Sequence, residues 1–178
     1  AEGRKRYVDF AKTMLTELDS IDAGKLSREN QIDAAILRNQ IQSDIWGMDT
    51  LQSWAWDPQA YAGLAGGAIY NLMAREFAPL PDRLKSATAR MEKLPALFAQ
   101  MRENIDPARV PQIHAETVAK QNGGVISLVE QFILPNAGQL QGEDRKRLDA
   151  AVAGLRKAVA EGTIDAIATD HSPHTREE

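Results

Sequence analysis

Apolar residues recur along this chain at steps of three and four, and the longest run of them sets the expectation for what surrounds it. Leu84, Ala87, Met91, Leu94, Phe98, Met101 and Ile105 alternate threes and fours without a break, which places their side chains on one face of a helix with 3.6 residues per turn. Leu37, Ile41, Ile45 and Met48 repeat the pattern. Both stripes read as core-facing. Phe10, Met14 and Leu18 form a shorter stripe near the start, and Leu148, Val152, Leu155 and Val159 form another near the end. Each of these lies opposite a charged face and predicts an amphipathic helix.

Punctuation in the sequence marks where helices begin and end. Ser27, Asp57 and Asp106 are N-cap residue types, whose short side-chain oxygens accept from a free amide in the first turn. Pro58 and Pro107 follow two of them, at a position where a missing amide hydrogen costs nothing, so helices are expected to start at both. Pro79 and Pro81 separate a helix around Tyr70 from the one carrying Leu84, and Pro95, inside the long stripe, predicts a kink or a split. Gly66-Gly67 predicts a loosened helix or a close approach by another. Gly123-Gly124 marks a break, and residues 135–142 read as a loop. The exception to the helical pattern is TIDAIATD, residues 163–170, whose Ile, Ala and Thr after a glycine read as a short buried strand. A lone strand has no neighbours to satisfy its backbone. The fold class expected is therefore all-α, a multi-helix array of roughly five to seven helices with one short isolated strand near the C-terminus.

Composition narrows the function classes. At 178 residues one domain with a core is expected. A net charge of -4 gives no electrostatic footprint for nucleic acid. With no cysteine, disulfides, thiolate metal sites and cysteine nucleophiles are all excluded. No apolar run approaches the ~18–20 residues of a membrane span. The start, AEGRKRYVDF, has neither an initiator Met nor a signal-peptide pattern. A start inside a longer protein fits this, and a signal peptide removed upstream would fit a periplasmic or secreted one; the compartment stays open.

Three stretches carry a resemblance: LSRENQIDAAILRNQI (26–41), WAWDPQAYAGLAGGAIYNLMAREFAPLPDRL (54–84) and NIDPARVPQIHAETVAKQNGGVISLVE (104–130). With the helices between them they make residues 5–160 resemble the N-terminal part of the bacterial domain of unknown function 885 family. The resemblance implies a largely helical protein several times longer, with a zinc-dependent, peptidase-like site built on a His-Glu-x-x-Pro-Gly-His motif in its C-terminal half. This chain contains no His-Glu pair. On that resemblance residues 1–160 are a non-catalytic helical portion, their partner is the C-terminal catalytic half, and zinc belongs to the full-length protein with no cofactor in this chain.

The tail is similar to something else. EGTIDAIATDHSPHTREE (161–178) resembles the last barrel strand and following loop of dihydroorotase and related cyclic amidohydrolases, with Ser172 where Ala is more usual. That resemblance implies that Asp170 is a metal ligand and proton shuttle, and that His171 and His174 belong to a substrate pocket. A carboxylate at the C-terminal end of a barrel strand is where such enzymes put their chemistry, beside a metal-bound water. A catalytic zinc needs about three protein ligands, yet there is no His-x-His pair, and His114 is the only histidine outside the tail. Since the two resemblances meet abruptly at Glu161-Gly162, a join between unlike sequences, misassembled or engineered, is the economical expectation.

The remaining candidates have plainer readings. His114 and Glu116, two apart on a helix, point to different faces and cannot share a metal. His114 is expected to be a partly buried helix residue, and Glu116 to pair with Lys120. Trp46, Trp54 and Trp56 suit packing between helices better than an aromatic pocket. Arg4, Lys5 and Arg6 read as a solvated helix start, while Arg75 and Glu76 resemble charged positions of the first family without a role of their own. Three functions stay open: the helical portion of a peptidase-like hydrolase, a cyclic amidohydrolase fragment, and an autonomous interaction domain that dimerises or binds a partner through exposed apolar surface.

Overall fold

In the computed structural model, which describes residues 2–121 and 123–161, all regular structure is helical. The described residues form α1 (Glu2–Asp19), α2 (Arg28–Trp46), α3 (Pro58–Met73), α4 (Leu80–Met91), α5 (Leu94–Asn104), α6 (Gln112–Gln121), α7 (Gly124–Leu128) and α8 (Gly142–Ala160). Seven of these have ten residues or more. The strand expected at 163–170 lies outside the described residues. The chain divides into two units, residues 1–53 and 54–178.

The first unit is an antiparallel pair of helices. Near one end the Tyr7 hydroxyl donates to Asp44, 2.7 Å away, and near the other Arg38 pairs with Asp19. Ser27 caps α2 as expected, accepting from the Asn30 amide at 3.3 Å. The Gln31 side chain donates to the Ala23 and Leu26 carbonyls and holds the turn between the helices. After Trp46 the helix widens into a π-turn, Gly47–Leu51, which Gln52 ends in the left-handed region at φ 53°.

Burial here corrects the sequence reading. Only Val8 and Ala11 of α1 are buried, and α2 has no buried residue at all. Of the stripes expected to face a core, Phe10 is 61% and Leu37 50% exposed, while Met14, Leu18, Ile41, Ile45 and Met48 are only partly covered. The periodicity is real, but two helices have one shared seam. An apolar face wider than that seam stays at the surface.

The second unit has a core of its own. Asp57 caps α3 by accepting from the Gln59 amide at 3.1 Å, with Pro58 at the first helical position. From α3, Ala65, Ile69, Leu72 and Met73 pack with Leu84, Ala87 and Met91 of α4, Leu94 and Phe98 of α5, and Leu148, Val152 and Leu155 of α8. A second cluster joins Tyr61, Met101, Ile105, Val110, Ala115 and Val118, so that α6 closes over the α3 and α5 ends. The long stripe from Leu84 to Ile105 is buried at every position, none more than 6% exposed. Pro95 splits it, as its lack of an amide hydrogen requires. Since Glu92 and Lys93 between the two helices keep right-handed helical angles, the apolar face continues in phase. Gly66-Gly67 leaves α3 unbroken, with Leu128 approaching Gly66.

Two boundaries differ from those expected. Asp106 caps not an α-helix but a single 3-10 turn, Pro107–Arg109, accepting from the Ala108 amide at 3.1 Å. Val110 precedes Pro111 and is extended (φ -75°, ψ 122°), the conformation a following proline imposes. The α-helix therefore starts beyond, at Gln112. Residues expected to loop from 135 are instead helical: the π-turn Val129–Ile133 passes into a 3-10 helix, Leu134–Gln139. Pro135 has no amide hydrogen to donate to a continued α-helix, and the Asn136 side chain donates to the Phe132 carbonyl at 2.9 Å. Gly142, at φ 57°, then turns the chain into α8.

Candidate functional site

Three of the sequence candidates, Asp170, His171 and His174, lie outside the described residues. His114, the remaining histidine, is partly buried on α6 as expected. Its Nδ1 stands 2.9 Å from Asp57 Oδ1, with the two side chains 27% and 23% exposed, and the Trp56 ring lies against it at 5.6 Å between centroids. The same Asp57 oxygen caps α3. Around this pair the segment before α3 is laced to its neighbours. Tyr61 donates to the Trp54 carbonyl at 2.8 Å, Asn104 donates to the Tyr61 hydroxyl at 3.3 Å, and the Asp106 amide reaches the Ala55 carbonyl at 2.8 Å.

A His–Asp pair can move protons where it faces a reacting atom. Here the carboxylate is committed to a helix cap, and the pair pins α6 to the start of α3. Among the described residues no three His, Asp or Glu side chains converge as metal ligands. The residues described thus do not fit a zinc centre. Glu116 is exposed and accepts from Gln112, one turn before it, at 2.8 Å, where the sequence suggested Lys120, one turn after; on an open helix face both are equally near. Trp54 and Trp56 are partly buried in the second unit, whereas Trp46 belongs to the first and is 52% exposed.

Sequence patterning missed the most unusual polar residue. Arg83, on α4, is only 7% exposed, and its guanidinium binds three main-chain carbonyls: Ala78 at 2.9 Å, Arg75 at 2.9 Å and Met73 at 3.3 Å. Met73 ends α3, where a cation complements the helix dipole. The clamp fixes the loop that carries Arg75, Glu76 and Phe77, all exposed, with Phe77 at 63%. The only sequence signal for it is an arginine one position before Leu84, beside a predicted apolar face.

Concave apolar surface occurs in each unit. In the first, Tyr7, Phe10, Met14 and Leu18 of α1 face Leu37 and Ile41 of α2 across a groove of about 410 Å³. Glu17 and Asp44 are the charged residues in its lining. The Asp44 hydrogen bond, with a smaller effect from burial, raises the Tyr7 phenol above its ordinary pKa. In the second unit Leu64, Ala68 and Leu72 of α3 form a groove of about 610 Å³ with Leu94 and Leu97, and Arg90 and Lys93 stand in its lining. Elsewhere the unit is tied by ion pairs. Arg147 holds Glu92 through two bonds, at 3.1 and 2.9 Å, and this lowers the Glu92 carboxyl pKa. Asp144 likewise raises the Lys85 amine.

The chain belongs to the family described as bacterial protein of unknown function, DUF885, whose profile matches residues 1–178, further than the 5–160 carried by the sequence resemblance. It is similar to the solved structure of a candidate lipoprotein of unknown function from Shewanella oneidensis, with a TM-score of 0.85 and 29% identity over 96% of this chain. It spans only 31% of that protein. A dihydroorotase from Pelotomaculum thermopropionicum (strain DSM 13744 / JCM 10971 / SI) is 67% identical over 27 residues, which is 15% of this chain and 6% of that enzyme. So short a match carries neither a fold nor an active site.

Proposed function

We propose that this DUF885 chain is a non-catalytic helical portion of a larger, metal-dependent, peptidase-like hydrolase, and that it walls a substrate cleft whose catalytic residues lie elsewhere in a family-length polypeptide. The observation that carries this reading is coverage: nearly all of the chain superposes on about a third of a longer relative. The scarcity of chemistry among the described residues supports it, because their one His–Asp pair serves a helix cap. On this reading zinc and the peptidase activity belong to the family-length protein, and Asp170 is not a working ligand in this chain.

Metal analysis after dialysis, with peptide and dihydroorotate hydrolysis assays, tests it on the 178-residue chain and on the family-length Shewanella protein side by side. The expectation is no stoichiometric zinc and no turnover for the 178-residue chain, and zinc-dependent peptide cleavage for the longer protein. One tightly bound zinc in the shorter chain, lost in Asp170→Ala, would overturn the assignment in favour of the amidohydrolase reading. A family-length protein that cleaves no peptide with zinc supplied would remove the peptidase part of it.

A further inference from the structure

We propose that the groove between α1 and α2 seats an apolar segment bearing Lys or Arg from the remainder of a family-length polypeptide; this deepens the reading above and rests on it. The groove is lined by apolar side chains apart from Glu17 and Asp44. Phe10 is 61%, Leu37 50%, Ile21 49% and Tyr7 42% exposed, and all four line it. Contiguous apolar patches of this kind, rimmed by polar residues, mark interaction surfaces. Its shape suits a chain segment: from Tyr7 to Leu18 it follows α1 for roughly 16 Å, about three turns, as a docked helix or extended strand would.

Charge states what the occupant carries. Glu17 and Asp44 are the charged lining residues, both acidic. Asp44 already accepts from Tyr7 and Gln40, so half of this charge is partly satisfied within the unit. The Glu17 carboxylate has no partner among the described residues. A cation arriving beside the apolar face of an incoming segment would complete it, and complementary charge at a groove rim sets which partner docks and in what register. The relative supplies the source, since about two thirds of the Shewanella chain lies beyond the part this chain matches.

The test is thiol labelling, for which a chain without cysteine is ready-made. Phe10→Cys reports the groove and Thr16→Cys, exposed on α1 outside the groove lining, is the control. Maleimide reaction is timed in the 178-residue chain and in a family-length chimera, in which residues 1–161 replace the matching part of the Shewanella protein. Position 10 is expected to react about tenfold or more slower in the chimera, with position 16 little changed. Glu17→Lys in the chimera is expected to return much of the rate at position 10. Equal rates at position 10 in a chimera that melts cooperatively would overturn the docking inference while leaving the proposed function standing. Protection of position 10 in the 178-residue chain alone, growing with its concentration, would assign the groove to a second copy and overturn it too. Where the chimera does not fold, a cysteine placed in the intact Shewanella protein at the position superposing on Phe10 decides the matter by the same reaction: slow labelling supports the inference, and fast labelling sinks it.

Discussion

Replacing Arg83 by Met should destabilise the second unit by about 2–4 kcal/mol, although the substitution removes a charge from a buried site and keeps most of the apolar stem. The magnitude follows from what the guanidinium holds. Hydrogen bonds from a charged donor contribute roughly 1.5–3 kcal/mol each, and Arg83 makes three, of which the one to Met73 is buried and those to Arg75 and Ala78 are partly so. Simple addition overshoots. Burying a guanidinium costs several kcal/mol, which offsets part of the gain, and with Arg83 gone the carbonyls of the exposed loop turn to water. What remains uncompensated is chiefly the buried Met73 carbonyl and the cation at the end of α3, the latter worth about 0.3–2 kcal/mol. Urea melts followed by circular dichroism measure the loss. Arg83→Lys should recover only part of it, because one ammonium cannot span three carbonyls in a planar fork. Trypsin gives a local readout: cleavage after the exposed Arg75 should accelerate in Arg83→Met, as the loop is released. A loss under about 0.5 kcal/mol, or a Lys variant as stable as the parent, would refute the clamp.

Other predictions separate core from surface. Phe98→Ala should cost about 3–5 kcal/mol, since the ring is 1% exposed at the centre of the main cluster, whereas Phe10→Ala should cost under about 1 kcal/mol in the same urea melts, because that ring is mostly in solvent. Deleting every residue after Ala160 should shift the unfolding midpoint by less than about 1 kcal/mol, as the described residues offer no sheet to receive a strand at 163–170; a loss as large as that of Phe98→Ala would mean that Ile164 and Ile167 pack against the helices. Glu92 has its folded pKa lowered, first by the Arg147 hydrogen bond, so its contribution to stability is present above the ordinary carboxylate range and lost as pH falls through the lowered value. Carbon-13 NMR should find Glu92 titrating below the ordinary glutamate value, and Arg147→Met should raise it back towards that value.

Much of the second unit was legible from spacing alone. The stripe from Leu84 to Ile105 is a single apolar face in the sequence and a single buried face in the fold, because the two residues around the Pro95 break keep helical angles. Asp57-Pro58 was legible for the same reason that it works, an accepting oxygen followed by a residue with no amide to satisfy. Asp106-Pro107 looks identical and gives only one 3-10 turn. The deciding residue, Pro111, acts from beyond the window a cap signal covers, through Val110. Arg83 was not legible, because patterning assigns an arginine to solvent, and only three-dimensional proximity reveals carbonyls from an earlier helix end and loop that can satisfy it. For the same reason His114 reads in sequence as a partly buried helix residue and in the fold as Asp57's partner, 57 positions away.

The first unit poses the sharper question, because there the same signal led to the opposite outcome. Leu37, Ile41, Ile45 and Met48 repeat with the regularity of the long stripe in the second unit, yet none is buried. Helical periodicity records which face is apolar, and burial then depends on what is available to cover it. In the second unit α4 and α5 find α3 and α8. Within the first unit, α1 and α2 share one seam, and it buries Val8 and Ala11. Apolar side chains contribute to stability only when removed from water, at roughly 25 cal/mol per Å², so a surface carrying Phe10, Ile21, Leu37 and Tyr7 contributes little where it stands. Its regular spacing is what a third helix would need. An accidental scatter of surface apolar residues would have no reason to keep a helical period on both α1 and α2 and to converge on one groove beside Glu17 and Asp44. That convergence is why labelling at position 10, rather than activity, is the measurement that separates a free helical pair from part of a larger fold.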